Sequence, residues 1–90
     1  KGMIYKATPN PFKNKVCIEY GIFENANVEL LVFDGAGKTV ATLKKSNLKK
    51  EKYKADWEPE KTTPNGIYFV ALKINDMQVH YSKVTKINGE

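Results

Sequence analysis

Val16-Cys17-Ile18-Glu19-Tyr20-Gly21-Ile22 is the stretch that decides the fold. Apolar side chains at 16, 18, 20 and 22 alternate with Cys17, Glu19 and Gly21. A repeat of two puts alternate side chains on opposite faces of an extended strand, so one face meets a core. The same period recurs on both sides of this stretch. Upstream, Met3-Ile4-Tyr5-Lys6-Ala7 reads as a short strand. Thr8-Pro9-Asn10-Pro11 ends it, because its two prolines remove two ladder donors. Downstream, Glu24-Asn25-Ala26-Asn27 is a turn. Val28 to Asp34 is then a strand, apolar on both faces toward its end and therefore central. Asp34-Gly35-Ala36-Gly37-Lys38 follows as a hairpin loop, with glycines where positive φ is needed.

The remaining segments extend the pattern. Thr39 to Leu43 is a short β-branched strand, and the lysine-rich stretch from Lys44 to Lys52 reads as a loop or a frayed connection, the alternative being a helical turn around Leu48 too short to stand alone. Tyr53, Ala55 and Trp57 alternate with Lys54, Asp56 and Glu58, giving a fifth strand with one wet face. Pro59 to Asn65 is turn chemistry, and Gly66 to Ile74 is the most apolar segment and a central strand. Asn75-Asp76 predicts a two-residue hairpin turn of the positive-φ kind, and Met77 to Ile87 is the last strand. About seven strands at roughly 8–12-residue spacing, with no helical segment, predict an all-β, immunoglobulin-like antiparallel sandwich. Residues 1–90 are expected to form one domain of this kind.

Composition narrows the function classes. No apolar run approaches the ~20 residues of a membrane-spanning helix. The chain begins at Lys1 rather than methionine, so it reads as part of a longer protein whose export signal would lie upstream. Cys17 is the only cysteine, which rules out an internal disulfide. Flanked by Val16 and Ile18, it is expected to be packed or half-packed, and inert. The net charge is +5, and all 15 basic residues are lysine. Arginine's planar fork reads guanine and grips phosphate pairwise, so a basic chain without it is a poor candidate for specific nucleic-acid binding. Lys44, Lys45, Lys49, Lys50, Lys52 and Lys54 cluster against Glu51 alone. They read either as a solvated edge that keeps the sheet soluble or as a docking patch for an anionic surface such as lipopolysaccharide.

Catalytic and metal chemistry find no footing. One histidine and one cysteine on different strands do not make a metal site, and Asp34 is a single carboxylate beside its glycine loop. His80 is expected to point to solvent, with no nucleophile to serve. Gly35-Ala36-Gly37 lacks the spacing and the lysine of a phosphate loop. No enzyme and no cofactor are predicted. Among Trp57, Tyr53, Tyr20, Tyr68 and Tyr81, a sugar-stacking platform is one reading. The other, which we favour, makes Trp57 the large aromatic between two sheets.

The order of motifs carries a resemblance. Pro9-Asn10-Pro11-Phe12 opens the series. Asn27 to Lys38, Val40-Ala41-Thr42-Leu43, Tyr53-Lys54-Ala55-Asp56-Trp57 and Pro64-Asn65-Gly66-Ile67-Tyr68-Phe69 follow. Lys83-Val84-Thr85-Lys86 closes it. From about Thr8 to Ile87 the chain resembles the C-terminal sorting domain of type IX secretion cargo, and the related immunoglobulin-like domain of flagellar hook-capping proteins. The resemblance implies a partner set: an outer-membrane translocon that reads the folded domain, and a sortase-like peptidase that removes it. The cargo, having crossed the periplasm, would then be joined to anionic lipopolysaccharide at the surface of a Gram-negative bacterium. It also implies recognition residues: Pro9, Asn10 and Pro11, then Gly66 and Tyr68, then Lys83 and Lys86. The two lysines are expected on an exposed edge strand where a receptor could see them, and such an edge could also pair into a dimer. After Lys86 the chain runs on as Ile87-Asn88-Gly89-Glu90, an acidic end after a basic motif. The alternative function is an accessory structural or carbohydrate-binding module of a secreted enzyme.

Overall fold

Burial follows the alternation of the sequence. The computed structural model describes residues 1–88, so Gly89 and Glu90 of the acidic end lie outside the described residues. Seven strands form: β1 (Gly2–Thr8), β2 (Val16–Ile22), β3 (Ala26–Phe33), β4 (Thr39–Leu48), β5 (Glu51–Trp57), β6 (Gly66–Ile74) and β7 (Met77–Lys86). They make a three-stranded sheet, β1-β2-β5, and a four-stranded sheet, β4-β3-β6-β7. Every pairing is antiparallel. The chain changes sheets after β2, β4 and β5, which is the crossing pattern of an immunoglobulin-like sandwich with its fourth strand beside the third.

The core lies between the sheets. Val16, Ile18, Tyr20 and Ile22 of β2 are buried against Val28, Leu30 and Val32 of β3 and Val70, Leu72 and Ile74 of β6. Leu31 and Ala71 are also buried but lie outside this cluster, on the far face of the four-stranded sheet. That accounts for the apolar character of both faces of the two central strands.

Turn chemistry sets the hairpins. Asn75 and Asp76 sit at φ 51° and 68°, as the two-residue β6–β7 turn requires. The Asn75 side chain also accepts a hydrogen bond from the Asn27 amide at 3.1 Å, tying the hairpin tip to β3. Asp34 is a staple within its loop: one carboxylate oxygen accepts from the Ala36 and Lys38 amides, each at 2.9 Å.

The connection after β4 differs from the sequence reading. Lys44 to Lys52 is not a loop: β4 runs on to Leu48 and β5 starts at Glu51. Glu29 pairs with Lys45, Val28 with Ser46 and Ala26 with Leu48. A fixed neighbour supplies the backbone partners, and Leu43 and Leu48 pack against the core. Lysines suit this position because charge blunts an edge strand.

Candidate functional site

The segment after β1 turns back toward the end of β7. Both of its prolines follow cis peptide bonds, Thr8–Pro9 and Asn10–Pro11. Between them, the Asn10 side chain lies along β7. Its oxygen accepts from the Thr85 amide and its nitrogen donates to the Lys83 carbonyl, each at 2.9 Å. Phe12 continues the contact: its amide donates to the Thr85 carbonyl, and its carbonyl accepts from the Ile87 amide, again at 2.9 Å. The result is a parallel bridge between Phe12 and Lys86. The last residues of β7 are therefore paired on both sides, although β7 is an edge strand of its sheet.

Aromatic packing fixes this end of the sandwich. The Phe12 ring is fully buried, 5.5 Å from Trp57 between centroids. Trp57 in turn meets the edge of Tyr68 at 5.1 Å. The Tyr68 hydroxyl donates to the Pro64 carbonyl at 2.6 Å, the return bond of a tyrosine corner at the start of a strand. Burial, with the nearby Asp34 carboxylate adding to it, holds the Tyr68 hydroxyl's pKa above its ordinary value. Gly66 sits at φ 140°, where a side chain is strained, and pairs with Lys86 across the ladder.

The structure thus brings Pro9, Asn10, Pro11, Gly66, Tyr68, Lys83 and Lys86 to one end of the molecule, around the last turn of chain. It also corrects one of them. Lys86 is not on display: it is only 7% exposed, and its ammonium donates to the Asn65 side-chain oxygen at 3.1 Å. Alternation explains this, since Val84 and Lys86 share the inward face of β7 while Lys83 is exposed. Phe12 and Asn65 also belong to the site; both stand in the motifs of the resemblance, but the sequence reading gives neither a recognition role. The aromatic residue straight after the second proline and the asparagine just before Gly66 are the signals in the sequence that mark them.

The six clustered lysines are all exposed, on β4, β5 and their connection. The ion pairs among the described residues use Lys1, Lys6 and Lys15 instead. The aromatic residues do not assemble a platform. Trp57 is 6% exposed and Tyr68 5%, Tyr20 is buried and stacked on Tyr53 at 5.7 Å, and Tyr81 lies on the far face against Phe69. His80 is half-buried rather than solvent-facing: its Nδ1 accepts from the Ile4 amide at 2.7 Å. Cys17 is half-buried, and burial, followed by the neighbouring Asp56 carboxylate, pushes its thiol up. Among the described residues no cluster of metal-ligating side chains occurs.

The fold has a solved counterpart. It is similar to part of an alkylpurine DNA glycosylase from Pseudomonas fluorescens, determined bound to DNA containing an abasic site analogue. The TM-score is 0.65 at 11% identity, over 96% of this chain and 30% of that one, so the likeness speaks for the fold. No curated protein matches the chain. The family described as the secretion system C-terminal sorting domain matches residues 5–87. The chain belongs to this family. A sorting domain of this kind is the secretion signal of type IX cargo, and it interacts with the secretion machinery. The family is one of signals rather than enzymes. In this sorting domain the family match runs from β1 through the whole of β7, so the residues that hold the end of β7 lie inside it.

Proposed function

We propose that the domain is read by the outer-membrane translocon at the end where β7 terminates, after its cargo has reached the periplasm. A sortase-like peptidase then removes it as the cargo is attached at the cell surface of a Gram-negative bacterium. What supports this reading is the convergence of the family-like motifs on one latch: Asn10 and Phe12 hold β7, and Trp57, Tyr68 and Asn65 hold what lies beneath it. A receptor that reads a folded domain needs a fixed row of groups, and a strand paired on both sides supplies one. Lys83 is the exposed side chain of that row. The lysine belt on β4 and β5 is assigned a second role, electrostatic docking to anionic lipopolysaccharide, because its six charges are exposed and none is in the observed ion pairs.

The test is a fusion of residues 1–90 behind a signal peptide and a folded reporter in a type IX-competent bacterium. The reporter should reach the surface. Lys83→Ala should leave thermal stability unchanged while transport falls. Should the intact fusion stay in the periplasm with the domain folded, the sorting role of this chain fails and an accessory module becomes the better reading.

A further inference from the structure

The end of β7 borders a cleft of about 570 Å³. Its walls are the segment around Lys13, the loop from Glu58 to Asn65, and Lys86. Lys86 is the unusual member. Its stem is packed, only 7% of the residue is exposed, and its head ends in this cleft. An ammonium carries three donors. Among the described residues one of them has a partner, the neutral Asn65 amide oxygen at 3.1 Å. Glu58 and Glu60 line the same cleft, yet neither pairs with Lys86 in the ion pairs found. A charge this buried ordinarily has a charged partner. Lys13 and Lys61 add positive charge on the walls.

We propose that this cleft is a carboxylate-binding site in which Lys86 pairs with an acidic side chain of the protein that reads the domain. The two glutamates decide the class of ligand. They would repel a densely charged polyanion, whereas one carboxylate fits among three lysines and two glutamates. Asn65 holds the ammonium in place and leaves its remaining donors for the ligand. The partner's identity as part of the export machinery rests on the sorting reading; the carboxylate site itself does not.

Two measurements separate those claims. In the first, the unaltered domain, labelled for NMR at lysine Cε and Nζ, is titrated with the blocked peptide Gly-Ser-Glu-Ser-Gly and with its Gln counterpart. The Lys86 signals should move with the Glu peptide, and the Gln peptide should bind about tenfold more weakly, the loss of one charge-assisted pair. Equal or absent shifts overturn the site. If Glu90→Gln alone moves the Lys86 signals as the peptide does, the occupant is this chain's own terminus and the partner assignment fails. In the second, Lys86→Met is introduced into the reporter fusion. Its melting temperature should match or exceed the parent's, while surface delivery falls at least severalfold and Lys86→Arg restores part of it. Delivery of Lys86→Met at the parental level overturns the assignment to the machinery while sorting stands. If Lys86→Met does not fold, the peptide titration of the unaltered domain still decides the site. If the parent fusion is not delivered, the titration again decides the site independently.

Discussion

Asn10 makes two hydrogen bonds to the backbone of β7 from one side chain, bridging residues 73 and 75 positions away. Asn10→Ala leaves the Thr85 amide and the Lys83 carbonyl to water, because this surface is exposed. The cost is therefore on the order of 1–2 kcal/mol, two ordinary hydrogen bonds rather than buried orphans. Hydrogen exchange should report it locally: the Thr85, Phe12 and Ile87 amides should exchange faster, while those of β3 keep their protection. Uniform change across the molecule would mean that Asn10 supports the whole core and not the latch. Trp57 works differently, through packing between Phe12 and Tyr68. Trp57→Ala should cost about 3–5 kcal/mol, as large aromatic truncations do. Urea unfolding measures it, and a midpoint within error of the parent would remove Trp57 from the core.

The elements divide into those held by burial and those held by a neighbour. The β3 and β6 strands pair on both edges and carry the core. The β4 strand has one partner, and its half from Lys44 to Leu48 exposes charged and polar side chains, so backbone pairing to β3 holds it. Its lysines are then dispensable for folding. Replacing Lys44, Lys45, Lys49 and Lys50 with glutamine should shift the urea midpoint by under about 0.5 kcal/mol equivalent, the usual range for exposed sites. Co-sedimentation with lipopolysaccharide vesicles should fall in the same variant, and for the parent it should weaken as salt rises. Vesicle binding that ignores both the substitution and the salt would sink the docking role of this belt.

Over the whole molecule, burial protects protons as well as apolar groups. The Tyr20 hydroxyl is held above its ordinary range by burial and then by neighbouring Tyr53. The Cys17 thiol is raised by burial and then by the neighbouring Asp56 carboxylate. In each case the folded chain grips the proton more tightly than the unfolded chain does. Such a contribution is complete below the unfolded group's pKa and is lost as pH rises through the folded value. The urea midpoint should therefore be level near neutral pH and decline above about pH 9, where free thiols and then phenols ionise. A midpoint that rises on the alkaline side would contradict the burial of these two groups.

Local pattern determined a great deal. Alternation in Val16–Ile22 and in Tyr53–Trp57 named the core face, because side-chain direction in a strand is a property of neighbouring residues. Asn75-Asp76 named its turn, because few residues tolerate positive φ. The ordered motifs also pointed to the family before any contact was known. Tertiary structure alone decided the rest. Lys44 to Leu48 became strand because β3 lay ready to pair with it, which no local period encodes. His80 turned inward because the Ile4 amide, 76 residues away, needed an acceptor. Lys86 faces inward with Val84, as alternation requires, but its cover came from Phe12 and Asn65, which close over the end of β7 from far along the chain.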